Sequence, residues 1–209
     1  AAGVFTRNHM TAAPVLTTKA HLAASGGQAA AVILNSGNAN AATGEKGCAD
    51  AEAMCDLVAA ELGVDRHHVL VCSTGLIGIP LPMDVVEAGI SPLVAARSPQ
   101  GGEAAAAAIM TTDTASKEVV VEADGFTVGG MAKGAAMLSP DMATMLAVLT
   151  TDAAASPAQL QAALTAGVAD SFNALDVDGC TSTNDTVLLF ASGLAGEVDQ
   201  AQLERAVPA

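Results

Sequence analysis

Residues 129–146 combine residue types that are unusual for a hydrophobic core. The stretch holds several methionines and glycines and a single lysine, Lys133, and Thr144 stands just before the apolar run 145–149. Glycines allow backbone conformations that other residues resist, and a lysine in apolar surroundings must be solvated, paired or used. From composition alone, a hairpin and a loop with a solvent-seeking lysine is the simpler interpretation. A reactive site is the alternative.

The elements around this stretch indicate an α/β protein. Apolar runs bounded by turn residues predict strands at 29–34, 69–72, 118–122, 126–128, 145–149 and 186–190. Helical periodicity and capping residues predict helices at 49–62, from Asp84 to about Arg97, at 102–110, and from a capping box of Ser156, Pro157 and Gln159 onward to Phe172. We expect the pair Gly129–Gly130 to interrupt its strand. Mixed hairpins and crossovers favour a layered α/β architecture with both sheet faces covered.

Composition excludes several classes of protein. The 209 residues are 51% hydrophobic and only 14% charged, which argues against an intrinsically disordered chain. The net charge of −14 argues against a nucleic-acid partner or an anionic membrane. No apolar run is long enough to span a bilayer, and the first residues do not resemble a secretory signal.

The four cysteines are spaced like neither a disulfide framework nor a zinc site. They are Cys48, Cys55, Cys72 and Cys180, and we expect them to be buried and reduced in a cytoplasmic protein. The pair His67–His68 lacks partners for a metal, so a solvated loop is expected there and no metal site is predicted.

Several long segments resemble the ornithine acetyltransferase family, the bifunctional glutamate N-acetyltransferases of arginine biosynthesis. They occur in the family's order along the whole chain. Residues 2–8 with 12–15 are similar to its early strand, 35–44 to its Asn-Gly turn, 72–78 to its oxyanion loop, 109–113 to its substrate loop, 129–146 to its self-cleavage region and 179–186 to a later loop.

The resemblance implies a layered α-β-β-α sandwich of the N-terminal-nucleophile-like type, which processes itself. The bond between Ala143 and Thr144 would be cut, giving residues 1–143 and 144–209 as two chains of one intertwined domain. Thr144 would then be the nucleophile. Its new α-amine, with a pKa of roughly 7.7–8.0, would take the hydroxyl proton.

The resemblance also assigns the other site residues. Thr74 and Gly75 match the oxyanion donors, although a strand-ending turn explains them without it. Thr111 and Lys133 match substrate-binding positions beside Thr144, and the lysine charge suits a substrate carboxylate. The pair Asn184–Asp185 has a weaker case, because a polar turn before a strand explains it well.

The implied reaction is ping-pong: Thr144 takes an acetyl group from N2-acetylornithine, ornithine leaves, and glutamate accepts the acetyl group. No cofactor is implied, and use of acetyl-CoA as a co-substrate stays open. The family resemblance implies an α2β2 heterotetramer. One alternative is an aminopeptidase of related fold, which a serine nucleophile would favour and Thr144 speaks against. The other is an inactive or interaction-only fragment.

The length of the sequence, compared with that of family members, bears on whether it is a fragment. Members of the family carry residues before the point where this sequence starts and many more after its end. The C-terminal part holds a substrate-binding glutamate and an asparagine-containing terminal segment in the family. We therefore expect the sequence to be a fragment that covers about the middle half of the enzyme.

Overall fold

The structure is a computed structural model and describes residues 1–135, 145–176 and 178–207. Within them the strands are β1 (Ala2–Phe5), β2 (Ala31–Asn35), β3 (Val69–Ser73), β4 (Lys117–Ala123), β5 (Phe126–Lys133), β6 (Leu146–Ala154) and β7 (Thr186–Glu197). The helices are α1 (Ala13–Ala24), α2 (Gly44–Leu62), α3 (Met83–Ala95), α4 (Gly102–Ala108), α5 (Pro157–Ala169) and α6 (Gln200–Ala206). None of the described helices is both long and apolar enough to cross a membrane.

Two sheets form the middle of the molecule. The larger has the strand order β1-β7-β6-β5-β4, in which only β6 and β7 run parallel, and the smaller pairs β2 with β3 in parallel. Their facing side chains form one buried cluster, in which Leu70 and Cys72 of β3 meet Leu146 of β6 and Leu188 of β7. The two sheets therefore pack face to face.

The alternation of side chains along each strand builds the outer layers. Val69 and Val71 of β3 point away from the large sheet and pack in a cluster with residues of α2 and α3. On the large sheet, Val187 and Leu189 of β7 point the other way, toward α5 and α6. Because successive strand residues face opposite sides, each sheet has two buried faces. The result is the α-β-β-α sandwich that the family resemblance implied.

Helix α1 lies against the free edge of β3. The Thr18 hydroxyl donates to the carbonyl of Val71 at 2.7 Å and accepts from the N–H of the same residue at 2.9 Å. Nδ1 of the buried His21 donates to the carbonyl of Val69 at 2.7 Å. Side chains thus satisfy the backbone groups that an edge strand leaves open.

The predicted strands and helices are confirmed in kind, and most differ only in length. The capping box of Ser156 and Gln159 is present at the start of α5. The helix ends at Ala169, so Phe172 lies in a following 3₁₀ turn and not on its face. Helix α3 was predicted to begin at Asp84, but its N-cap is Pro82. Asp84 lies in the first turn, where the helix dipole stabilises a carboxylate.

The prediction for Gly129–Gly130 was wrong, because β5 continues through both residues to Lys133. A side chain at Gly130 would come within 2.5 Å of a methyl group of Leu149 on β6, so glycine permits close strand packing there. Helix α1 was missed: the segment 12–15, compared above with a strand, leads into it with Pro14 in its first turn. Its inner face binds β3 through polar side chains, so the helix lacks the apolar periodicity from which a helix is predicted.

The prediction of buried cysteines holds for only half of them. Cys55 and Cys72 are buried and Cys48 and Cys180 are exposed, and all four are free thiols. Cys48 lies on the outer side of α2, whose buried face includes Cys55. The pair His67–His68 lies in a short 3₁₀ helix, half-buried, with the His67 ring against that of His21.

The layer order predicts which leucines of β7 carry stability. Leu189 is fully buried between the large sheet and α5, whereas Leu194 of the same strand is 87% exposed. We expect Leu189→Ala to lower the free energy of unfolding by about 3 kcal/mol and Leu194→Ala to change it by less than about 0.5 kcal/mol. Urea denaturation of both variants checks this, and similar losses from the two would contradict the layer assignment.

Candidate active site

Two loops meet where the parallel strands β2 and β3 end. The N–H of Thr74 donates to the carbonyl of Asn35 at 3.0 Å, and the N–H of Leu76 to that of Gly37 at 3.2 Å. The N–H of Ala39 in turn donates to the carbonyl of Leu76 at 2.9 Å. These bonds join the loops 35–41 and 73–78 into one unit at the carboxyl end of the small sheet.

Gly75 allows these loops to approach each other. Its φ of +133° lies in a region that side chains disfavour, and a Cβ there would stand 2.2 Å from the carbonyl carbon of Gly37. Gly75 is exposed, and its N–H makes no hydrogen bond to another described residue. This N–H is therefore available to a ligand.

The Thr74 hydroxyl is held by a buried lysine. The Lys133 ammonium donates to Thr74 Oγ1 at 3.1 Å, and both residues are nearly inaccessible, at 2% and 1% exposure. An ammonium group has only donors, so the hydroxyl accepts this bond and its own proton is left for another acceptor. The structure thus places two donors side by side, the Thr74 O–H and the Gly75 N–H.

Two carboxyl groups balance the buried lysine. Burial lowers the pKa of Lys133 from its usual value, and the negative charges of Asp113 and Asp185 oppose that effect. Lys133 is the last residue of β5, and Leu146 of β6 pairs with it in the sheet. Its side chain reaches from the large sheet to the loop that follows β3. The interpretation that composition alone favours, a solvent-seeking lysine, therefore does not hold.

Asp113 connects the segment 109–113 to the end of β5. Its side chain is fully buried and accepts hydrogen bonds from the N–H of Gly134 at 2.7 Å, from the N–H of Thr111 at 3.3 Å and from the Lys117 ammonium. Burial alone would raise the pKa of this carboxyl, but the three donors together hold it below its usual value. Asp113 therefore stays charged and fixes the backbone of Thr111 near Lys133.

Asp185 is the second carboxyl whose charge acts on Lys133. Its Oδ1 accepts the N–H of Met145 at 2.8 Å, and Met145 is the residue that follows Thr144 in the chain. Burial raises the pKa of Asp185 to about 6, with partial compensation from the Met145 N–H, the Ser182 hydroxyl and the Lys133 charge. The neighbouring Asn184 donates to the carbonyls of Ala39 and Ser73, at 2.6 and 2.8 Å.

The structure brings together some of the residues predicted from sequence. Thr74, Gly75 and Lys133 form one cluster, and Thr111 is tied to it through Asp113 with its own side chain exposed. The predicted cleavage pair, Ala143 and Thr144, lies outside the described residues.

Asp113, Asn184 and Asp185 were not predicted as site residues. Asp113 stood in a segment singled out for the family resemblance, and Asn184–Asp185 was explained as a turn. Their burial, at 9%, 4% and 0% exposure, distinguishes them from turn residues. The position of Asn184–Asp185 in the sequence could have indicated their burial. The pair directly precedes the apolar strand β7, where an uncompensated carboxyl is unexpected.

This arrangement can stabilise negative charge on an oxygen atom. Two donors belong to adjacent residues, one of them a hydroxyl held by a buried cation, and the amide of Met145 is anchored by Asp185, whose charge acts on that cation. Fixed donors of this kind suit the tetrahedral intermediate of acyl transfer. The layered fold and this donor pair together suit acyl-transfer chemistry.

Comparison with known proteins identifies the family of the chain. The ArgJ family profile matches residues 1–209, and the chain belongs to the ArgJ family. It is 55% identical to the arginine biosynthesis bifunctional protein ArgJ of Streptomyces avermitilis, over 98% of this chain and 52% of that protein. The ArgJ protein of Mycobacterium leprae is also 55% identical, over 99% of this chain and 53% of its own length. The chain thus spans about half the length of the curated relatives it matches.

Two crystal structures resemble the fold. Ornithine acetyltransferase from Mycobacterium tuberculosis, crystallised with ornithine, superposes with a TM-score of 0.64 at 52% identity, over 67% of this chain and 76% of that one. The ArgJ protein of Bacillus halodurans gives 0.60 at 39% identity, over 70% and 76% of the two chains. Both identities are high enough for the likeness to reflect common family membership.

The close approach at Gly75 leads to a stability prediction. Gly75→Ala must relieve both a disfavoured φ and a backbone clash, and we expect it to lower the free energy of unfolding by about 3 kcal/mol. Gly78 also has a positive φ, +83°, but nothing stands within 4 Å of its missing Cβ. Gly78→Ala should therefore cost only about 1 kcal/mol. Chemical denaturation compares the two variants, and equal losses would show that the loops do not restrict Gly75.

The raised pKa of Asp185 makes stability depend on pH. The folded protein holds this proton up to about pH 6, whereas the usual pKa of the group is 3.8. The contribution of this carboxyl to the free energy of unfolding is therefore fully present below its usual pKa. It is lost as pH rises through the pKa in the folded protein. We expect the free energy of unfolding of the wild type, minus that of Asp185→Asn, to fall by about 3 kcal/mol between acid and neutral pH. A difference that stays constant would contradict the assignment.

Proposed function

We propose that the chain carries the acyl-transfer centre of an arginine biosynthesis acetyltransferase that moves an acetyl group from N2-acetylornithine to glutamate. The observation that carries this proposal is the buried Lys133 ammonium on the Thr74 hydroxyl beside Gly75, in a chain of the ArgJ family. In this proposal Thr74 and Gly75 donate to the oxyanion, and Thr111 and Lys133 contribute to substrate binding together with Thr144.

Self-cleavage creates the nucleophile. The Thr144 hydroxyl attacks the carbonyl carbon of Ala143, the C–N bond breaks and the acyl group moves to oxygen, while the hydroxyl proton passes to the released amine. Water then hydrolyses the ester, which leaves a carboxylate on Ala143 and a free α-amine on Thr144. Cleavage separates residues 1–143 from residues 144–209, and we propose that the two parts remain in one folded unit.

Acetyl transfer then proceeds in two half-reactions. The Thr144 hydroxyl gives its proton to the α-amine and attacks the acetyl carbonyl of the donor. The tetrahedral oxyanion accepts hydrogen bonds from Thr74 and Gly75. The amide C–N bond breaks, the proton passes to the departing ornithine nitrogen, and an acetyl ester remains on Thr144. The amine of glutamate attacks this ester, and the threonine oxygen leaves with a proton.

We propose no cofactor for this chemistry, because the hydroxyl, the amine and the two donors complete each step. Use of acetyl-CoA as a second acetyl donor is tested by supplying it in place of N2-acetylornithine. The free thiols support a reducing, cytoplasmic compartment. The α2β2 assembly rests on the family resemblance alone.

The mass of the purified natural gene product tests the proposal. We expect two polypeptides divided between Ala143 and Thr144 in the wild type and one uncut polypeptide in Thr144→Ala. Thr150→Ala removes an exposed hydroxyl of β6 and should still be cut. An uncut wild type, or cleavage that persists in Thr144→Ala, would contradict self-processing through this hydroxyl.

Comparing glutamate with water as the acceptor of the acetyl group distinguishes a transferase from a hydrolase. With N2-acetylornithine as donor, ornithine should be released much faster with glutamate present than in water alone. Release that does not depend on glutamate would favour the hydrolase alternative, as in an aminopeptidase of related fold.

A further inference from the structure

Asp185 is a buried carboxyl to which none of the proposed steps gives a role. Its Oδ1 accepts the N–H of Met145 at 2.8 Å, and the carbonyl of Met145 accepts the N–H of Thr186 at 3.1 Å. The Met145 nitrogen is bonded to the carbonyl carbon of Thr144, and a peptide unit is planar. Asp185 therefore holds the amide of Met145, the residue that follows the proposed nucleophile in the chain.

Asp185 is itself held in place from two directions. Its own carbonyl accepts the N–H of Thr6 at 2.9 Å, where β1 leaves the large sheet. The side chain of the preceding Asn184 bridges the carbonyls of Ala39 and Ser73 in the two loops of the small sheet. Asp185, which anchors Met145, thus has a fixed position relative to Thr74 and Gly75, the two donors that follow Ser73 in the chain.

A hydrogen-bond acceptor alone does not require a charge at this position. An asparagine could accept the same N–H without the cost of burying a carboxylate. That cost is real here, because Asp185 is 0% exposed and its Oδ2 has no hydrogen-bond partner of good geometry among the described residues. The carboxyl is also ionised at neutral pH, because its pKa is raised only to about 6. Its negative charge raises the pKa of the buried Lys133 ammonium, against the effect of burial.

We propose that Asp185 is a positioning residue of the transfer site: Oδ1 anchors the amide that follows Thr144, and the carboxylate charge keeps the Lys133 ammonium in place on the Thr74 hydroxyl. This inference rests on the proposed function. It adds a single residue that links the amide following Thr144 to the lysine that holds the oxyanion donor.

Other charged groups around Lys133 define the control. Asp113 faces it from the segment after α4, and Lys117 of β4 is paired with Asp113. Asp152 offers a matched comparison, since its Oδ1 also accepts a backbone N–H, that of Thr127 at 2.7 Å, but at the far end of β6. Asp152→Asn and Asp185→Asn each remove one charge and keep an acceptor for the bonded amide.

The first measurement follows Lys133 directly. NMR of the natural gene product with labelled lysine side chains should show the Lys133 resonance shifting with a midpoint near pH 6, as Asp185 ionises. In Asp185→Asn this shift disappears and the lysine loses its own proton at lower pH, whereas Asp152→Asn behaves like the wild type. A Lys133 resonance that is the same in Asp185→Asn and in the wild type would overturn the proposal.

The second measurement is acetyl transfer by the same variants. We expect Asp185→Asn to lower kcat at least ten-fold with little change in KM for the donor, and Asp152→Asn to leave both unchanged. Equal loss in the two variants, or none in Asp185→Asn, would overturn the positioning role while leaving the proposed function intact. A wild type that does not transfer acetyl groups contradicts the proposed function, and the Lys133 titration still decides whether Asp185 governs the lysine charge.

Discussion

The hydrogen bond from the buried Lys133 ammonium to the Thr74 hydroxyl is the interaction on which the site depends. It joins the end of β5 in the large sheet to the loop that leaves β3 in the small one. A cation with so little access to water is costly unless it is compensated, and Asp113 and Asp185 supply the compensation from two sides. Removing either carboxyl would therefore disturb the lysine and, through it, the hydroxyl.

The four-layer fold makes this interaction possible. Face-to-face packing through Leu70, Leu146 and Leu188 brings the ends of β3 and β5 together at one side of the sandwich. The close loop approach at Gly75 and the bridge made by Asn184 then set the positions of the donors. Each of these features contributes stability and geometry at once, so the site and the core are parts of the same packing arrangement.

Apolar runs and caps, which are local signals, predicted every described strand except β1 and most of the described helices. They did not predict α1, whose contact face is polar, or the continuity of β5 through Gly129 and Gly130, which depends on the neighbouring strand. Thr74, Gly75, Thr111 and Lys133 were proposed from family resemblance, and the fold places them in one region. Asp113 and Asp185 could not be assigned from their segments, because burial and partners that lie 21 and 40 residues away define their roles.

The central claim is that Thr144 carries the acetyl group between donor and acceptor. The most direct measurement is to incubate the natural gene product with N2-acetylornithine in the absence of glutamate, stop the reaction with acid and locate the acetyl group by peptide mass spectrometry. We expect one acetyl group on Thr144, which is lost when glutamate is added before the acid. An unmodified protein, or an acetyl group on Lys133 instead, would contradict it.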